Sequence, residues 1–218
     1  MITEKLTLKT ETVFSDDRLN RYLLRKEWDN KKPKATIIMT NPSDADLITI
    51  DYTTLYILNN ISKLDFGSVD IVNLSSKVTT KLNAKLDLDV EIEKDNAEFI
   101  LKSAEKSDKI IIAWGKIGEN NQRVRMAQDN LLKILQPFKD KLCCIAESEE
   151  GESGFHPLAP QIRFEWILKN FVPPKPKEAV EKKKKVVKPI NEKVSEPVVS
   201  DEAVNPEVIN SEIPAENS

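Results

Sequence analysis

Residues 36–46 read TIIMTNPSDAD. The apolar run from Ile37 to Met39 gives way within two residues to Asn41-Pro42-Ser43 and a pair of aspartates. A strand that is apolar at consecutive positions is buried on both faces, the situation of an interior strand in a parallel sheet. The same event recurs three times. VDIVNL (69–74) runs into Asn73, KIIIAWG (109–115) ends in Trp114-Gly115, and KLCCIA (141–146) leads into a loop that reaches Gly154-Phe155-His156-Pro157.

Amphipathic segments separate these runs. In TTLYILNNISKL (53–64) the apolar residues Leu55, Leu58, Ile61 and Leu64 recur in three-residue steps, which makes one helical stripe, and Asp51 suits its N-cap. Helices are likewise expected over 90–103, 121–135 and Pro160 to Phe171. Ahead of all of them, LTLKTETV (6–13) and RYLLRKEW (21–28) alternate around a polar turn at 15–20, the pattern of an antiparallel hairpin. Strands alternating with helices predict an α/β fold, a three-layer sandwich with a central, mostly parallel sheet and the hairpin on one edge.

The chain has 218 residues, 39% of them hydrophobic, and a formal net charge of -3. That content supports one domain, expected over residues 1–171. Beyond it, residues 172–218 lack aromatics and glycine. They are lysine-rich from Pro173 to Lys193, then acidic and proline-spaced, and are expected to form a disordered tail able to contact a protein partner. No run approaches the ~20 apolar residues of a membrane span, and the N-terminus lacks a secretory layout, so a cytoplasmic location without membrane contact is expected. Cys143 and Cys144 are adjacent and offer neither a disulfide framework nor a zinc spacing. One histidine and scattered aspartates give no metal-ligand pattern, and neither metal nor cofactor is expected. The slight acidity argues against strong non-specific attraction to duplex DNA.

In a parallel sheet, segments that follow strands emerge at one edge, and open α/β sheets bind ligands outside those carboxyl ends. Asn41, Ser43, Asp46, Asp51, Asn73, Trp114, Gly115, Phe155 and His156 all belong to such segments. Each has a plainer role open to it. Asn41-Pro42-Ser43 could simply end a strand, Asn73 bond a neighbouring backbone, and Trp114 cap the core. Their convergence is what favours a site.

As an ordered set, Asn41-Pro42-Ser43 with Asp46 and Asp51, Val72-Asn73-Leu74, Ala113-Trp114-Gly115 and Gly154 with His156-Pro157-Leu158 resemble the bacterial and phage family called domain of unknown function 1643. Arg21, Leu24, Trp28 and Asp95-Asn96 fit its pattern too, so the resemblance spans about residues 12–171. More distantly, the motif order is similar to the uracil-DNA glycosylase superfamily, although Leu158-Ala159 replaces the serine and proline of its closing motif. That similarity implies a glycosylase-like fold and a nucleobase, nucleotide or flipped-out nucleic acid as ligand. Breaking an N-glycosidic bond needs a group that holds water and a donor to the departing base. Asn41, Asp46 and His156 are the catalytic candidates, Asp44 and Asp51 being alternatives for the water. Asn73 has the equipment to read a pyrimidine edge, Trp114 or Phe155 to stack on a base, and Arg123 with Arg125 to meet phosphate. A non-catalytic module that binds a nucleotide or inhibits a host protein at the same crevice is the rival expectation.

Overall fold

The structure, a computed structural model, describes residues 1–43, 45–78 and 89–173. The charged tail lies outside the described residues from 174 onward. Seven strands form one sheet: β1 (Lys9–Phe14), β2 (Arg21–Glu27), β3 (Lys34–Met39), β4 (Ser68–Asn73), β5 (Lys109–Ile112), β6 (Leu142–Ala146) and β7 (Ile167–Asn170). They lie in the order β1-β2-β4-β3-β5-β6-β7. β4, β3, β5 and β6 are mutually parallel, and these are the four apolar runs of the sequence. The hairpin β1-β2 joins antiparallel at β4, and β7 closes the other edge antiparallel to β6. Three of six pairings are therefore parallel, and the sheet is mixed rather than mostly parallel.

The apolar runs are buried on both sides because successive residues serve different cores. Ile37, Met39, Ile71, Ile111, Ala113, Cys143 and Ile145 pack in one cluster with Ile57 and Ile61. Those two belong to α1 (Tyr52–Lys63). Ile38, Val72, Ile110, Ile112 and Trp114 pack in another, with Ile100 of α2 (Lys94–Glu105) and Val124, Ala127 and Leu131 of α4 (Gln122–Ile134). A single turn, α3 (Ile117–Asn120), precedes α4. Among the described residues, no helix is long and apolar enough to cross a membrane.

Two expectations need correction. Residues 160–171 form no helix: a 3-10 turn at Pro160–Ile162 leads into β7. Ile162 and Trp166, four residues apart, still pack on the α1 side, where a helical stripe would also have put them, and Leu168 of β7 packs beside them. Pairing with the exposed edge of β6 decides for the strand. The helix expected from residue 90 starts at Lys94, with Glu93 at its N-cap position. Glu93 is engaged elsewhere, its Oε1 accepting from the Tyr22 hydroxyl at 3.0 Å and its Oε2 from Ser76 at 2.7 Å.

Candidate functional site

Parallel strands deliver Asn73, the segment after Met39, Trp114-Gly115 and the loop after Ala146 to one edge of the sheet. Backbone bonds extend the pairing past the strand ends: Leu74 N–H donates to Met39 O at 2.8 Å and Ser75 N–H to Thr40 O at 2.9 Å. Asn96, fully buried on α2, donates through Nδ2 to the carbonyls of Asn73 (3.0 Å) and Leu74 (3.3 Å), fixing the end of β4.

The Asn73 side chain points the other way. Val72 belongs to the α2–α4 side and Ile71 to the α1 side, so alternation puts Asn73 with Ile71. Its exposure is 0%, and neither Oδ1 nor Nδ2 has a hydrogen-bond partner. Among the described residues it alone has both polar side-chain atoms buried and unmatched. Leaving such a group unsatisfied costs about 1–3 kcal/mol, which an ordinary structural asparagine would avoid.

The segment after β3 is held from below by two buried cations of β2. Arg21 donates through Nη1 to Ser43 O at 3.2 Å and to Ala45 O, and Lys26 through Nζ to Asp46 O and Leu47 O, each at 3.2 Å. Lys26 shares the α1 side with Leu24 by alternation, and Arg21 reaches that side because the register of β1 against β2 shifts between Val13 and Phe14, placing Tyr22 as an extra residue. Burial lowers the Lys26 pKa, opposed by the charge of Asp46. Sequence patterning missed these anchors; the signal was basic residues on both sides of the apolar Tyr22-Leu23-Leu24 of β2.

Asp51 caps α1, its carboxylate accepting from Thr54 N–H at 2.7 Å. It also lies near enough to His156 for its charge to favour the imidazolium. Burial is the stronger influence and lowers the His156 pKa. Nδ1 accepts from the Leu158 N–H at 3.2 Å, which places the proton of the neutral ring on Nε2. His156 is thus a neutral donor beside a carboxylate. Gly115 makes room for it: its φ is +69°, and a Cβ there would stand 3.1 Å from His156 Cβ. The substitution Gly115→Ala combines left-handed strain with that contact, so denaturant unfolding should show a loss of about 1–3 kcal/mol.

The other candidates are placed differently. Asn41 donates through Nδ2 to Pro42 O at 3.2 Å. Asp46 folds back on its own turn, accepting from Ile48 N–H (2.8 Å) and Thr49 N–H (2.7 Å), and the Thr49 and then the Ile48 contact hold its carboxyl below the usual range. It lines a cleft of about 490 Å³ with Thr12, Phe14, Arg18, Leu47, Ile48 and Thr49. Trp114 packs on the α2–α4 side, edge-on to Phe171 at 6.2 Å, so the sheet separates it from the Asn73 side chain. Phe155 is buried in the α1-side core with Lys116 Nζ 5.7 Å from its ring centre. Arg123 is exposed in the first turn of α4. Among the described residues, no cluster of His, Cys, Asp or Glu could hold a metal.

A family model described as "Protein of unknown function (DUF1643)" matches residues 21–158, from the buried arginine of β2 to the residue whose N–H fixes the His156 tautomer. No curated protein and no solved structure matches the chain significantly.

Proposed function

The chain belongs to the DUF1643 family of proteins of unknown function, and from the chemistry of its rim we propose that it recognises a nucleobase or nucleotide there, in a three-layer α/β sandwich of the uracil-DNA glycosylase type. The observation that carries this reading is the Asn73 amide, buried with both polar atoms unmatched. One carbonyl acceptor and an NH₂ donor side by side complement the donor and acceptor edge of a pyrimidine, or the equivalent edge of a purine. Both atoms are closed to solvent in the structure, so a ligand supplying that edge has to displace covering side chains to reach it, and in doing so would remove the desolvation cost that the free protein carries.

The charge of Asp51, felt at His156, favours a second, catalytic reading, N-glycosidic hydrolysis. A water held by the carboxylate adds its oxygen to the anomeric carbon; the base leaves with the bonding electron pair and ends with the proton from water. His156 donates its Nε2–H to the developing base anion without being consumed. Asp51, an alternative to Asp46 for the water, is preferred because its charge acts on His156; its cap bond to Thr54 N–H uses one carboxylate oxygen and leaves the other for the water. In this reading Asn41 and Ser43, which follow β3 at the same sheet edge, would meet the ligand, Gly115 makes room for His156, and Arg123 would meet a phosphate. Trp114 has no part in stacking because it faces the opposite core.

The test separates binding from chemistry. Thermal shift against a panel of nucleosides and nucleotides should find at least one that raises the melting temperature, and the rise should vanish in His156→Ala. Single- and double-stranded DNA carrying uracil or modified bases is then assayed for abasic sites, with Asp51→Asn as the control. Abasic sites that disappear in both variants establish hydrolysis. Stabilisation without cleavage leaves a binding module, and no response to any nucleotide or DNA refutes the proposal. The pH profile is an added check: the His156 pKa is depressed, so the neutral donor is complete above the ordinary histidine range of about 6.5 and is lost as pH falls through the lower folded value.

A further inference from the structure

We propose that β1 is a self-association edge, on which a second copy of this chain pairs antiparallel to make one continuous sheet. β1 pairs with β2 on one side only, so half of its backbone N–H and C=O groups face outward. The chain before it stays apolar at alternate positions. Leu6 and Leu8 are 73% and 43% exposed, and strand pairing begins only at Lys9. The arm is in no strand in the single copy, and its two leucines are left exposed.

One register satisfies both faces of the new pair. With Thr10 opposite Thr10 of the second copy, Lys9 faces Glu11 and Glu11 faces Lys9. Both side chains are more than half exposed while engaged in their own ion pairs, Lys9 with Glu27 and Glu11 with Arg25. On the opposite face, Leu8 comes against Thr12 and Leu6 against Phe14, since residues directly opposite in an antiparallel pair share a side. Thr12 and Phe14 line the cleft of about 490 Å³ whose far wall is Leu47, Ile48 and Thr49. Leu47 and Ile48 are 54% and 89% exposed. The arm therefore brings two leucines to the exposed Leu47 and Ile48 and the half-buried Phe14 of a cleft that Arg18 and Asp46 also line, while the charges pair on the other face. The twofold repeats each contact. This assignment is independent of the rim and of any ligand there.

Sedimentation and light scattering on the full chain should give twice the 24.8 kDa chain mass, with dissociation on dilution. The double variant Leu6→Glu/Leu8→Glu should weaken association at least tenfold without changing the fold, because both side chains are exposed in the single copy. Register is tested by Thr10→Cys, which lies on the axis and should form an intermolecular disulfide on mild oxidation. Val13→Cys, opposite Thr7, should not. The native Cys143 and Cys144 are buried and do not compete. A monomer at every concentration up to the solubility limit overturns the proposal. So does a dimer that survives the double glutamate variant, or one in which Thr10→Cys fails to cross-link.

Discussion

Replacing Asn73 by leucine should make the free protein more stable and its ligand binding weaker. The two side chains are close in size, and the position is fully buried on the α1 side among Ile71, Met39 and Ala113. The native amide has no partner for either polar atom, so the substitution removes about 1–3 kcal/mol of desolvation cost and adds apolar contact. For a domain of this size that corresponds to a rise of about 2–10 °C in melting temperature. The clamp from Asn96 survives, since it uses the Asn73 backbone carbonyl. A ligand that bonds the amide loses those bonds, worth about 1–3 kcal/mol, or about 5- to 150-fold in affinity. Calorimetry on the wild type and Asn73→Leu measures both halves. A variant that melts lower while binding the same nucleotide equally well would show that the amide is structural, and would remove the main support for recognition at the rim.

Such an opposition between stability and binding marks positions where local rules are broken for function. Much of the frame around Asn73 was legible in the sequence. Four apolar runs gave the four parallel strands because only strands buried on both sides lack alternation, and Asp51 announced α1 because its carboxylate meets an N–H at 2.7 Å. Polar residues after each run pointed to the common edge for the same topological reason. Side-chain direction was harder to read. Trp114 continues the parity of Ile110 and Ile112, all three on the α2–α4 side, so alternation carried past the strand end would have separated it from Asn73. Asp46, followed by Ile48 and Thr49, had a turn of its own to satisfy. In residues 162–168 helical and strand periods coincide on Ile162 and Trp166, and only the pairing of β7 with β6 breaks the tie. Lys26 keeps the parity of Leu24, but Arg21 reaches the same side only through a shift of register against β1, which no periodicity reveals.

Besides its backbone pairing with β4, that hairpin is tied to the parallel half of the sheet by one buried carboxylate, whose removal should give the largest loss of stability. Asp70, 0% exposed, lies three residues before Asn73 on β4. Arg25 of β2 donates to both of its oxygens, at 2.7 and 2.9 Å, and Lys34 of β3 stands 2.8 Å from Oδ2. The two cations sit on the two strands that flank β4, one antiparallel and one parallel, so the carboxylate joins the hairpin to the parallel half of the sheet. Burial alone would raise the Asp70 pKa, but hydrogen bonds and charge from Arg25 and Lys34 outweigh it and leave the group below the usual aspartate range. A carboxylate depressed in the folded state stabilises the fold above its unfolded pKa, and the benefit is lost as pH falls through the folded value, in acid below about pH 4. Asp70→Ala leaves two partly buried cations facing each other, so a loss of about 3–5 kcal/mol at neutral pH is expected in urea unfolding. Asp70→Asn keeps the shape and some of the hydrogen bonds, so it should fall between the two. The wild type should also lose its advantage over both variants as pH drops below about 4. A flat difference across that range would mean that packing, rather than this charge, registers β2 on β4, and that the hairpin holds its place beside the rim by its apolar face alone.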